Sequence, residues 1–168
     1  MPVKTKKTYR PGAVGAMMDE YERAAEEFRL LIKKISQKEF ELIVDKITND
    51  EHCRSVQTIV SHVINSGYGY ADYLRKYFSI TSTRPGWKLL SKKEFFEQLN
   101  AMLGYTVDTL EGKWELTDEE IQKADIQPKW GSVYDIEQLL EHAIVHILRH
   151  RRQIEKFAAN GKLKIGIK

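Results

Sequence analysis

The chain has one cysteine, Cys53, and only four prolines in 168 residues. A single thiol excludes an intramolecular disulfide framework, and so few prolines leave long stretches in which nothing interrupts a helix. No run approaches the roughly 18 consecutive apolar residues that announce a membrane-spanning helix. The opening stretch, Met1-Pro2-Val3-Lys4-Thr5-Lys6-Lys7, lacks the apolar centre of a secretory signal peptide. These absences point to a cytoplasmic protein with no membrane association. Acid is missing from both ends: residues 1–12 carry Lys4, Lys6, Lys7 and Arg10, and residues 161–168 carry Lys162, Lys164 and Lys168. Those seven positive charges, set against a formal +3 for the whole chain, leave −4 on the body between. Basic ends on an acidic body read as solvated tails, and no nucleic-acid partner is expected.

Hydrophobic residues make up 42% of the chain, enough for one domain to bury a single core. Val14, Met17, Met18, Tyr21, Ala25, Phe28, Ile32 and Ile35 recur at the three-and-four spacing of one helical face, predicting a helix over 13–35. Ser36 and Glu39 then have the spacing of a capping box, followed by a short helix or turn containing Phe40. The same periodicity predicts long helices over 54–79, 91–111 and 133–159, the last two opened by Ser91…Glu94 and Ser132…Asp135. Pro85-Gly86 marks the loop before the third long helix, and residues 113–131 form a long connection before the fourth. Four amphipathic helices without a convincing strand argue an all-α four-helix bundle over 13–159. Residues 1–12 read as a flexible basic tail and 160–168 as a docked C-terminal tail. Ile144, Val145 and Leu148 lie off the main apolar face of the last helix, which predicts a homodimer.

Five histidines are unremarkable as a count, but His142, His146 and His150 fall within nine residues. At about 100° per residue, His142 and His150 stand about 40° to either side of His146, and the apolar face centres near +80°, so His146 and His150 lie nearest the core. Two imidazoles one turn apart can share a metal ion, and His62 on the second long helix offers a third nitrogen. Near His62, Gly67 and Gly69 each cost the helix about 1 kcal/mol relative to alanine, which calls for close helix approach or ligand space there. Spacing alone equally accommodates ordinary, partly buried histidines. His52 has no comparable context and reads as a surface residue. Cys53 would stand about 13 Å from His62 along a continuous helix, a poor fourth ligand. Glu-x-x-His pairs, H-E-x-x-H, a phosphate-binding glycine loop and a nucleophile elbow are all missing from the sequence. Tyr68, Tyr70, Tyr73 and Tyr77 read as core and helix-contact aromatics.

The segment His146-Ile147-Leu148-Arg149-His150-Arg151-Arg152-Gln153 resembles the last-helix signature of the DinB/YfiT-like superfamily, commonly His-x-x-x-His-Arg-Gly-Gln. Trp130-Gly131, His62 and the helix layout over 13–159 are similar as well. The resemblance implies a bundle with long crossover connections that binds zinc, nickel or a related divalent metal through His62, His146 and His150. It also implies a metal-dependent enzyme acting on a small-molecule substrate, a hydrolase or a transferase using a low-molecular-weight thiol such as bacillithiol or mycothiol. The alternative is a non-catalytic metal-binding or interaction bundle with a stress-related structural role. His142 is expected to support a ligand from behind or to replace one, and Gln153, one turn beyond His150, to hydrogen-bond a ligand or a histidine. Arg152 stands where the signature has glycine and is expected to point away from the metal.

Overall fold

A computed structural model describes residues 8–166; Lys4, Lys6, Lys7, Ile167 and Lys168, on which part of the tail reading rests, lie outside the described residues. Six α-helices follow in order: α1 (Gly12–Lys33), α2 (Gln37–Glu41), α3 (Val56–Tyr77), α4 (Lys92–Leu110), α5 (Asp118–Gln122) and α6 (Ile136–Ala159), with a 3₁₀ turn at Glu51–Cys53. Among the described residues the only β pairing is two isolated bridges, so the fold is all-α. The four long helices pack in a ring in which α1 touches α6 and α4, and α3 touches α4 and α6. Phe28, Ile32, Ile59, Leu74, Phe95, Leu99 and Met102 fill the space between them.

The contacts also set directions. Tyr21 reaches Met102 and Phe28 meets Phe95 edge-on, so α1 and α4 are antiparallel. The Ser61 hydroxyl accepts from the Leu90 N–H, and Arg75 lies beside Thr109, so α3 and α4 are parallel. Joining parallel neighbours requires the chain to return along the length of α3, and residues 78–91 do so as an extended strap. The expected long crossover is this strap. Gly67 makes room for the Met102 side chain between α3 and α4, because a Cβ placed there would stand 2.5 Å from Met102 Sδ.

Several boundaries differ from the periodicity. α2 stops at Glu41, and Ile43 and Ile47 are exposed, so their helical spacing has no buried face behind it. The connection at 113–131 contains α5, capped by Thr117 and Glu120. The last helix starts at Ile136 with Asp135 rather than Ser132 as its cap, the Asp135 carboxylate accepting from the Gln138 N–H while Tyr134 is held in a bridge to Ile126. Arg10 is not part of a free tail: it pairs with Asp19 and Glu22 on α1 and lies over Trp114. At the other end Leu163 is buried and Ile165 bridges Ile35, which gives the docked tail its partner. Of the residues on which a second copy was expected to pack, Ile144 and Leu148 lie against this chain's own core, whereas Val145 is exposed.

Candidate metal centre

α3 and α6 run antiparallel: Tyr70 packs on His142 and His146, and His62, two turns earlier, meets His146 and His150. Ser55 caps α3 in a box with Thr58, which fixes where the helix begins and hence the direction of His62. On α6, His146 and His150 are one turn apart with ring centroids separated by 4.6 Å. The ring of His62 completes a triangle, 5.0 Å from that of His146 and 5.1 Å from that of His150. One ring nitrogen from each lies within 4.8 Å of the other two, and all three residues are half-buried.

The donor set fits a divalent ion. His62 Nε2 and His146 Nε2 stand 3.1 Å apart; two nitrogens each about 2.0–2.1 Å from one ion would be separated by about 2.9–3.4 Å. Gln153 Oε1 accepts a hydrogen bond from His150 Nδ1 at 2.9 Å. That bond places the ring proton on Nδ1 and leaves the Nε2 lone pair free for a cation. Burial is the largest cause of low basicity here: it pulls His62 down to about 4 and His146 to about 3, and neighbouring rings add to the effect. His150 is lowered by burial too, opposed by its bond to Gln153. Three imidazoles that stay neutral at pH 7 need no deprotonation before binding a cation, and an all-nitrogen set suits zinc, copper, iron or nickel.

The other polar residues sort themselves around this set. His142 stands outside it: Trp130 stacks on its ring at 5.3 Å and its Nδ1 meets the Tyr134 hydroxyl at 3.3 Å. Trp130 is presented by a turn in which the Gly131 N–H donates to the Pro128 carbonyl and Gly131 adopts φ 96°, a conformation suited to glycine. His52 is exposed, as expected, but it is not without context, because its ring stacks on His62 at 5.1 Å. Cys53 lies much closer to the site than a continuous helix would place it. Its thiol donates to Asp50, and its sulfur is 3.8 Å from Gln153 Oε1. Burial pushes the Cys53 thiol up, so it stands beside Gln153 as a protonated thiol rather than as a thiolate ligand. The capping spacing Ser55…Thr58 was the available sign that the helix starts after Cys53. Arg152 is exposed, and Tyr70, read from sequence as core, is buried against the site.

Two measurements follow from this geometry. Gln153→Leu removes the acceptor that fixes His150, and zinc affinity measured by competition with a chelator should fall by about 10–100-fold while the helix content stays unchanged. In metal-free protein the low pKa values of His62 and His146 make folding weaker in acid. The unfolded chain takes up protons below about 6.5 that the folded chain refuses until about 4 and about 3, so the stability present above 6.5 declines through that window. Urea midpoints from pH 7.5 to 4.5 should show this decline, and His146→Ala should flatten it.

No helix among the described residues is long and apolar enough to cross a membrane. No curated protein matches the chain. The family model of the DinB family matches residues 1–158, a span that contains the four packed helices, save the last residue of α6, and His62, His146 and His150 together, and the chain belongs to that family.

Proposed function

We propose that this protein is a metal-dependent enzyme acting on a small molecule, either a transferase that uses a low-molecular-weight thiol or a hydrolase. His62, His146 and His150 would hold zinc or nickel. One observation carries the reading: among the described residues three protein side chains converge and no fourth joins their group, since His142 is held by Tyr134 and Trp130, Cys53 by Asp50 and Gln153, and the exposed His52 only stacks on the His62 ring. Structural zinc sites close with four protein ligands, whereas catalytic sites use three and leave room for a reactant. A divalent ion there would act as a Lewis acid and lower the pKa of a thiol or water that reaches it. The chain's own contribution is orientation: Gln153 holds the His150 ring, and Tyr70 packs against His146 to shield it on the α3 side. A cytoplasmic location and a homodimer through the Val145 face belong to the same proposal.

The test is turnover by zinc- or nickel-loaded protein with bacillithiol, mycothiol or glutathione against 1-chloro-2,4-dinitrobenzene, with 4-nitrophenyl acetate alone as the hydrolytic substrate. Metal-dependent thiol transfer, or ester cleavage without thiol, supports an enzyme and chooses between its two forms. A metal-loaded chain that turns over neither class overturns the catalytic reading and leaves a non-catalytic metal-binding bundle.

A further inference from the structure

A groove of about 470 Å³ runs along α3 beyond the histidines, from Asn65 and Ser66 to Lys76. It starts one turn after His62 and continues for about 15 Å at 1.5 Å per residue. Its walls are Tyr70, Tyr73 and Trp130; Trp130 meets both tyrosines edge-on, at 6.0 and 5.6 Å. Tyr70 also touches the His146 ring, so the groove and the histidine cluster share a side chain. The charges are unbalanced. Asp72 is already engaged by Arg84 at 3.1 Å and by the Tyr105 hydroxyl at 2.7 Å. Lys76 and Lys129 also line the groove, and neither makes an ion pair among the described residues. Gly69 forms part of the wall, and unlike Gly67 it is not needed for helix contact: a Cβ there would meet only the Arg84 guanidinium, at 3.5 Å. Glycine in mid-helix costs about 1 kcal/mol, and what it provides at this position is open space.

We propose that this groove binds an elongated small molecule with a flat, unsaturated or aromatic middle and an anionic group at the end remote from the histidines. The aromatic walls take the flat part, Lys76 and Lys129 take the anion, and the other end reaches the cluster past Ser66 and Tyr70. The inference rests on the proposed function only for what happens at the histidine end; binding in the groove does not require it.

Naphthalene-2-sulfonate is a suitable probe, being flat, anionic and a poor metal ligand, with 2-naphthylmethylammonium as its cationic counterpart. Binding to the full chain is followed by NMR at the Trp130 indole N–H. The sulfonate should bind saturably and about tenfold or more tighter than the ammonium compound. Gly69→Leu should fill the groove and weaken sulfonate binding at least about tenfold without lowering the unfolding midpoint, since leucine is the better helix former. Gly104→Leu, on α4 with nothing within 4 Å of the new Cβ, should leave binding unchanged. Lys76→Glu with Lys129→Glu should abolish the preference for the anion. Equal affinity for both probes, or undiminished binding by folded Gly69→Leu protein, overturns the proposal. Groove binding by a chain that holds no metal would defeat the proposed function and leave this inference standing; metal binding with an unresponsive groove would do the reverse.

Discussion

Alanine at both His146 and His150 is expected to leave the protein folded and to strip it of divalent metal. The two imidazoles supply two of the three nitrogens in the cluster, and His62, left with the exposed His52 ring stacked on it, no longer belongs to a three-nitrogen set. Losing a mere orienting contact lowers metal affinity by about 10–100-fold, so losing two ligands should reduce bound metal to about a tenth of the wild-type level or less. Both rings are half-buried at the edge of the core, so truncation costs less than opening a cavity among Phe28, Phe95 and Met102. Metal analysis of untagged protein reads the first effect. The second is thermal: an ion that binds only the folded chain stabilises it by about 2.7 kcal/mol at 100 times its dissociation constant, so added zinc should raise the unfolding temperature of wild type and not of the double variant. His142→Ala should retain metal, because His142 is held by Tyr134 and Trp130 and lies outside the cluster. Equal and negligible metal in wild type and double variant would overturn the assignment of these histidines.

The helical faces were legible because burial is periodic: Val14, Met18, Tyr21, Phe28 and Ile32 point inward as their spacing predicts. The same argument misled at Ile43 and Ile47, where three-and-four spacing occurs without a helix, and the capping spacing misled at Ser132, where Tyr134 is bridged to Ile126 and α6 starts after Asp135. Tertiary pairing decided both, and periodicity carries no information about it. At the site, the one-turn spacing of His146 and His150 is local and could be read directly, as could the reach of Gln153. Pairing His62 with them needed the relative direction of α3 and α6, which the sequence carries only through the family resemblance. His52 was rightly read as surface and Tyr70 as core, but their nearness to the site, like that of Cys53, was missed for a common reason. Their contacts with His62, Gln153 and His146 join segments about 10 to 100 residues apart, and a strap or capped turn between elements decides them.

Arg75→Ala is expected to destabilise the fold by about 2–4 kcal/mol, the largest single-residue effect on stability argued from this structure. Arg75 is buried without a carboxylate partner among the described residues, and its guanidinium is satisfied by a set of neutral acceptors. Nε donates to the Thr109 hydroxyl at 2.8 Å, the two terminal nitrogens donate to the Thr81 and Tyr105 carbonyls at 3.1 and 3.4 Å, and the group lies 3.7 Å over the Tyr105 ring. Those acceptors belong to α4 and to the strap, so one side chain ties α3 to both. Truncation takes the donor from the fully buried Thr109 hydroxyl, at about 1–3 kcal/mol before relaxation, unties the strap from α3 at the Thr81 carbonyl, and opens space beneath the strap. At about 2–4 °C per kcal/mol for a domain of this size, the unfolding temperature should fall by about 5–15 °C. Arg75→Lys should recover only part of the loss, because an ammonium cannot present a planar fork to three separated acceptors. A change below about 0.5 kcal/mol would show that the strap is held elsewhere. The effect on function should be split, since His62 lies about 20 Å along α3 from Arg75 and metal content per folded chain should be unchanged. The groove should respond differently. Tyr105, which Arg75 supports, donates its hydroxyl to Asp72, and Asp72 holds Arg84 over Gly69. Loosening that chain of contacts should weaken naphthalene-2-sulfonate binding in a protein that still holds its metal.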